Sequence, residues 1–227
     1  MTSIAKMAPL GVERARLSRG ASSSAIHAMV ARALASRGIR GGVLLDVGCG
    51  RGDLWHCLRD RFDSYIGADV ADYPEFPADA RFVAVDLDSG LVPLADGVAD
   101  VVVAVETIEH LENPRRFTRE LVRLARPGGW VVVTTPNQLS LLSKLTLLVG
   151  NEFNAFRANS YPAHLTALLE IDLSRIAAEC GLTNAAIAYS ERGRIAFTPR
   201  HYPRWLSRLW PRAFSDNVLA IGCKPCE

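Results

Sequence analysis

From Gly42 onward, short runs of β-branched and aliphatic residues alternate with segments whose apolar positions recur every three or four residues. A short, unbroken apolar run suits a strand buried on both faces, and alternation with helical patterns predicts an α/β domain around a parallel sheet. The strands fall at 43–47 (VLLDV), 64–69 (SYIGAD), 81–86 (RFVAVD), 100–105 (DVVVAV), 130–135 (WVVVTT), 185–190 (AAIAYS) and 217–223 (NVLAIGC). Between the fourth and fifth, an Asn113 cap, Pro114 at the first helical position and apolar Phe117, Leu121 and Leu124 predict a helix stopped by Pro127-Gly128-Gly129. A further helix at 22–37 carries Ile26, Val30 and Leu34 on one face, with serines before it and Gly38 after it. After Asn137 the alternation pauses over 138–165, an amphipathic helix followed by an aromatic and polar loop. This insert leaves a strand's carboxyl end, where open α/β sheets bind ligands, so it is read as a lid or as an ordinary helix covering the sheet edge.

A length of 227 residues with 49% hydrophobic content fits a single domain over 1–227 with a buried core. The net charge of +2 argues against a protein that coats nucleic acid, yet the charge is concentrated at the ends. Lys6, Arg14, Arg16, Arg19, Arg32, Arg37 and Arg40 face Glu13 alone, and residues 200–212 (RHYPRWLSRLWPR) hold four arginines, a histidine and no acid. The basic run suits an anionic acceptor, a phosphate-bearing lipid surface or RNA, whereas Trp205, Leu206, Leu209 and Trp210, at helical spacing there, suit a helix or loop docked on the sheet. Five cysteines with no secretory signal suit a reducing, cytoplasmic compartment. The Cys223-x-x-Cys226 pair lacks the second pair of a zinc site. No apolar run approaches the ~20 residues of a transmembrane helix.

The candidate chemistry lies at the strand ends. Gly48, Gly50 and Gly52 follow the first strand and precede a helix, a turn that admits positive φ and close ligand approach. Position 53 is Asp where a dinucleotide fingerprint needs glycine, and Asp46 would repel a pyrophosphate while attracting an ammonium group. Asp69 ends the second strand, where a carboxylate can accept from both ribose hydroxyls, and Asp86 ends the third, within reach of an adenine amine.

The strings DVGCGRGD, GADV, VAVDLD, VVVAVETIEHL and LARPGGWVVVTTPN, in this order and spacing, resemble the successive motifs of class I S-adenosylmethionine-dependent methyltransferases. The resemblance covers residues 42–137 and, more loosely, 138–224. It implies a Rossmann-like, seven-stranded, mostly parallel sheet with helices on both faces and the last strand antiparallel. It also implies S-adenosyl-L-methionine over the ends of the first strands. Asp46 and the backbone at Gly48, Cys49, Gly50 and Gly52 would take its methionine part, Asp69 and Val70 its ribose, and Asp86 with Leu87 its adenine. Glu106, ending the fourth strand, would face the transferable methyl group.

Glu106, Glu109 and His110 lie at offsets that share one face of a helical turn. Two carboxylates and an imidazole suit a divalent ion, and His164 in the insert is a fourth candidate ligand. The E-x-x-E-H pattern resembles metal-assisted ubiquinone-pathway O-methyltransferases and, with the later histidine, small-RNA 2′-O-methyltransferases. That resemblance implies Mg²⁺ or another divalent metal on these four residues. The metal-free alternative makes His110 or His164 a general base and leaves the glutamates to cap helices or pair with Arg115 and Arg116. Leu141, Leu142, Leu145, Leu148, Phe153 and Phe156 in the insert suit an apolar acceptor or the core alike. Three functions follow: O-methylation of a small-molecule, sugar or lipid hydroxyl; RNA 2′-O-methylation; or a noncatalytic S-adenosylmethionine-binding module.

Overall fold

A computed structural model describes residues 20–196 and 198–226. The basic residues Lys6, Arg14, Arg16 and Arg19 lie outside them. In chain order the main elements are α1 (Ser24–Ala35), β1 (Val43–Val47), α2 (Asp53–Leu58), β2 (Ser64–Asp69), β3 (Arg81–Ala84), β4 (Ala99–Ala104), α3 (Pro114–Leu124), β5 (Ala125–Pro136), α4 (Leu141–Gly150), α5 (Glu170–Glu179), β6 (Thr183–Tyr189), α6 (Arg204–Leu209) and β7 (Asn217–Cys223). One sheet of seven strands runs β3-β2-β1-β4-β5-β7-β6. β1 to β5 pair in parallel, whereas β7 is antiparallel to both β5 and β6. The fold is the Rossmann-like one expected, with β7 as its reversed strand.

Alternation within the strands explains why they read as unbroken apolar runs. In β4, Val101 and Val103 pack on one side of the sheet with Met29, Leu34, Leu54 and Leu58 from α1 and α2. Val102 and Ala104 pack on the other side with Phe117, Leu121, Leu124 and Ile176 from α3 and α5. Successive side chains point to opposite faces, and both faces are covered by helices. Among the described residues no helix is long and apolar enough to cross a membrane.

Several boundaries differ from the sequence pattern, two of them with consequences. β3 stops at Ala84, so Asp86 stands in the following loop. α3 ends at Leu124 and the chain enters β5 at once, carrying Pro127-Gly128-Gly129 inside the strand. The Lys224 ammonium closes the helix end by donating to Val122 O (3.0 Å) and Ala125 O (2.8 Å). A cation on the last free carbonyls of a helix does the work expected of the glycines. At the other end the cap is as predicted: Asn113 accepts from Arg116 N at 2.9 Å, with Pro114 at the first helical position.

Residues 200–212 are not docked on the sheet. Trp205, Leu209 and Trp210 are 67%, 59% and 56% exposed, and within the helix only Leu206 and Ser207 turn inward. A helix of six residues is too short to bury an apolar stripe. It is held by ion pairs instead, Arg208 to Glu191 and Arg212 to Glu170. All five cysteines are free thiols.

Leu121 has no exposed surface and lies at the centre of the α3–sheet contact. Leu121→Ala should therefore lower unfolding free energy by about 2–5 kcal/mol, the range for cavity-forming core truncations. Urea denaturation reads this directly, and a loss below about 1 kcal/mol would mean that the α3 face is not the cooperative core.

Candidate active site

The carboxyl ends of β1, β2 and β4 open into a cavity of about 300 Å³. Asp46, Gly48, Cys49, Gly50, Asp69, Val70, Asp86, Leu87, Glu106, Glu109, His110 and His164 all line it. Of the sequence-predicted residues only Gly52 is absent from the wall. It caps α2 in the left-handed conformation, and a Cβ there would lie 2.6 Å from Pro77.

β1 delivers Asp46 to the cavity floor, where it is 2% exposed. Trp55 stacks on Tyr65 with ring centroids 5.1 Å apart, which fixes the phenol so that it donates to Asp46 Oδ2 at 2.9 Å. Oδ1 has no partner. Desolvation pushes the Asp46 pKa to about 7, against the lowering effect of the Tyr65 hydrogen bond. A buried carboxylate with one unused oxygen is a receptor for a cationic donor such as an ammonium group.

The glycine turn owes its residues to chain crossings. Gly48 has φ 81°, and a Cβ there would fall 2.3 Å from Thr107 Oγ1. Gly50 has φ 51°, and its Cβ would fall 2.2 Å from the Gly20 carbonyl. Asp69 braces this turn, Oδ2 accepting from Gly50 N at 2.8 Å and Oδ1 from Ala71 N at 3.1 Å. Burial raises its pKa, opposed by those backbone donors. Each carboxylate oxygen keeps a second lone pair, so Asp69 can still accept hydroxyls. Asp86 Oδ1 accepts from Asp88 N at 3.1 Å in the loop after β3.

The segment before α1 forms a wall that sequence reasoning missed. Ser22, Ser23, Ile26 and His27 border the cavity, and Gly20 O accepts from Arg51 N at 3.0 Å. The serines signalled only a helix start. Nothing in their pattern tied them to a turn some thirty residues ahead.

Glu106 does not share a helical face with Glu109 and His110. Its φ is 50°, a left-handed conformation that is costly for a side chain with a Cβ, and the following 3-10 turn begins only at Ile108. Glu106 N donates to Thr134 Oγ1 (3.0 Å), whose hydroxyl donates back to Oε1 (3.2 Å), while Asn217 Nδ2 donates to Oε2 (3.0 Å). Glu106 is partly accessible through the cavity, yet its carboxylate is enclosed tightly enough that desolvation pushes its pKa to about 7. The arginines offered as alternative partners are engaged elsewhere, Arg115 with Glu179 and Arg116 with Asp88 O.

Glu109, His110 and His164 do converge, with one ligand atom from each within 4.8 Å of the others. Glu109 O accepts from Leu165 N (2.9 Å) and Thr166 N (3.0 Å), which pins the end of the insert and brings His164 against His110 at a ring-centroid distance of 4.8 Å. His110 Nδ1 meets Ala163 O and His164 Nδ1 meets Ala155 O, both at 2.6 Å. A carbonyl can only accept, so each Nδ1 carries hydrogen, which makes Nε2 the basic nitrogen of a neutral ring. Burial lowers the His164 pKa, opposed by its Ala155 hydrogen bond, so the ring is neutral near pH 7. The Glu109 carboxylate is fully buried, and among the described residues no donor meets hydrogen-bond geometry at either oxygen, the Thr135 hydroxyl being near but not aligned. Its pKa is raised well above the usual range by desolvation and then by Glu106, with its own amide and the nearby Thr135 hydroxyl only tempering the shift.

The insert's apolar residues do not line the site. Leu148 is 81% exposed, and Leu141, Leu142, Leu145, Phe153 and Phe156 contribute to neither this cavity nor its neighbour. α4 instead turns Ser143 and Thr146 inward. Ser143 Oγ donates to Gln138 Oε1 (3.1 Å) and accepts from Asn154 N (3.3 Å), a buried polar network that fixes the insert's course.

The sheet order, the reversed last strand and a ligand-sized cavity at the strand ends define a class I S-adenosylmethionine-dependent methyltransferase fold. A model of the methyltransferase domain family matches residues 19–187, so the chain belongs to that family. It is 35% identical over 147 residues, 63% of the chain, to a probable S-adenosylmethionine-dependent methyltransferase of Mycolicibacterium smegmatis. It is 32% identical over 126 residues, 51% of the chain, to a ubiquinone biosynthesis O-methyltransferase of Chromobacterium violaceum. The chain spans little more than half the length of these relatives, 56% and 53%. A crystal structure of a SAM-dependent methyltransferase from Archaeoglobus fulgidus superposes with TM-score 0.60 at 19% identity, covering 87% of this chain and 94% of that one, a likeness of fold.

The raised carboxylates set the pH response of the ligand-free protein. Asp46 and Glu106 titrate near 7 when folded, against 3.8 and 4.5 ordinarily. The folded state therefore holds more protons than the unfolded chain between those limits, and stability falls as pH rises to about 7. Urea midpoints should be lower at pH 8 than at pH 5.5, and Glu106→Gln should flatten the slope. Equal midpoints at both pH values would contradict the enclosed carboxylates.

Proposed function

We propose that the domain transfers the methyl group of S-adenosylmethionine to a hydroxyl of a small-molecule, sugar or lipid acceptor. The observation that carries this reading is a single cavity with Asp46 Oδ1, unpartnered among the described residues, on its floor and the His110 and His164 imidazoles in its wall, each anchored through Nδ1 to a backbone carbonyl. The O-methyltransferase relative in ubiquinone biosynthesis supports oxygen as the acceptor atom.

In this reading Asp46 accepts from the donor's ammonium group, and the backbone around Gly48, Cys49 and Gly50 borders the carboxylate end. Asp69, with Val70 beside it, takes the ribose hydroxyls, and Asp86 with Leu87 borders the adenine. When bound, S-adenosylmethionine supplies an electrophilic methyl group on a sulfonium. The acceptor oxygen forms the new O–C bond as the C–S bond breaks, leaving a neutral thioether, and the hydroxyl proton passes to Nε2 of His110 or His164. Glu106, held by Thr134 and Asn217, adds negative charge beside the sulfonium. Transfer then depends mainly on alignment of the two reactants.

A second reading of the proton step is favoured by Glu109. A fully buried carboxylate with no hydrogen-bond partner must either carry a proton or face a cation. Glu109 and the Nε2 atoms of His110 and His164 form a mixed oxygen and nitrogen donor set, each imidazole oriented by a backbone carbonyl, as metal ligands usually are. Glu106 lies outside that set. Bound there, a divalent ion would lower the pKa of an acceptor hydroxyl.

Two measurements test these readings. Calorimetric titration with S-adenosylmethionine should give affinity that rises with pH through about 7, as Asp46 ionises to meet the ammonium. Asp46→Asn and Asp69→Ala should each weaken binding by about tenfold or more, the scale of a lost charge-assisted hydrogen bond. Wild-type affinity in both variants would remove the donor assignment. Turnover after chelation distinguishes the proton steps: the imidazole base predicts an unchanged rate. The cation predicts a loss restored by Mg²⁺ or Mn²⁺, together with Mn²⁺ binding that Glu109→Gln abolishes in electron paramagnetic resonance.

A further inference from the structure

A second cavity of about 420 Å³ adjoins the first, and Ser23, Ile26 and Glu106 line both. Glu106 thus stands where the two spaces meet, so with the donor in the first cavity, as proposed above, the second would be left for the acceptor. The volume falls in the range of small-ligand pockets, about 300–1,000 Å³.

Its charge is uneven. The chain between β6 and β7 folds back on itself, with Arg194 and His201 bridged as in a short antiparallel ladder. Ile195 N donates to Arg200 O (2.9 Å) and Tyr202 N to Gly193 O (2.9 Å). This hairpin sets Arg192, Arg194 and His201 on the cavity wall. Arg194 is neutralised by Asp216, Nε to Oδ2 at 3.0 Å. Asp216 is further occupied by the Arg194 amide, at 3.2 Å from either oxygen. The Arg192 guanidinium and the His201 ring form no ion pair or side-chain hydrogen bond among the described residues. Glu106, the remaining acid, is already satisfied by Thr134 and Asn217. The Arg192 guanidinium and the His201 imidazole therefore border a cavity whose other side chains are largely neutral and polar, Asn137, Gln138, Ser143 and Asn154 among them.

We propose that this cavity holds the methyl acceptor as a small anion, a hydroxylated molecule whose carboxylate or phosphate group is received by Arg192 and His201 while its hydroxyl points toward Glu106. The inference rests on the methyl-transfer reading above and narrows it to one acceptor class. A guanidinium offers paired donors that match either oxyanion, and an uncharged analogue gains none of that attraction. The wall also disfavours a long aliphatic acceptor, because the leucines of α4 face away from it.

The test uses the full chain saturated with S-adenosylhomocysteine, whose own titration is recorded first. That titration fails if the donor assignment is wrong, independently of the acceptor. The loaded protein is then titrated with matched pairs: catechol and 3,4-dihydroxybenzoate for the carboxylate arm, glycerol and glycerol 3-phosphate for the phosphate arm. At least one anionic member should bind about tenfold or more tightly than its neutral partner, the scale of a charged hydrogen bond. Arg192→Ala should erase that preference without altering S-adenosylhomocysteine affinity. Arg192→Lys should restore part of it, and Arg204→Ala, outside the cavity, should leave it intact. Equal binding of neutral and anionic members, no binding of either anion to the loaded wild type, or an Arg192→Ala variant that keeps the preference would each overturn the proposal.

Discussion

Uncompensated negative charge at the carboxyl edge of the sheet is the constraint on which the rest of the structure depends. Asp46, Asp69, Glu106 and Glu109 converge on one cavity, and none of them has an ion pair with a basic side chain among the described residues. Desolvation raises all four, and Asp46 and Glu106, at about 7, hold protons in the ligand-free site that a cationic guest would displace. Such crowding persists only because the surroundings are rigid. Tyr65 is clamped in an aromatic stack, Asp69 is held by turn amides, and Glu106 sits between a buried threonine and the first residue of β7. The core on both faces of the sheet supplies that rigidity, and stability is given up at the edge where recognition happens.

The strands were legible because parallel sheets covered on both sides leave uninterrupted apolar runs. Those at 43–47, 64–69 and 217–223 match in both limits. The donor-side residues were legible for a related reason: a residue just past such a run can only emerge at the sheet's edge, which placed Asp46, Asp69 and Glu106 together. Gly48 and Gly50 were recognised for their conformation, while their steric reason, Thr107 and the carbonyl of Gly20, lies far off in sequence.

What was not legible depended on tertiary packing. Glu106 gives no sign in its identity of the left-handed backbone that separates it from Glu109 and His110. The insert's leucines follow helical spacing, but the buried interior they were expected to face is polar, organised by Gln138, Ser143 and Asn154. The stretch 190–199 has neither helical nor strand periodicity, and Arg192 and Arg194 take on meaning only where the hairpin sets them on a cavity that Glu106 also lines. Residues 20–23 likewise read as a helix start until the glycine turn was seen beneath them.

The tether between the insert and the 3-10 turn runs through main-chain atoms: the carbonyl of Glu109 receives the amides of Leu165 and Thr166. Placement of the second imidazole is therefore independent of which side chain occupies position 109. Nature can exchange that carboxylate without loosening the loop, and an altered chemistry in such a homologue would report on its charge alone, its scaffold having stayed where it was.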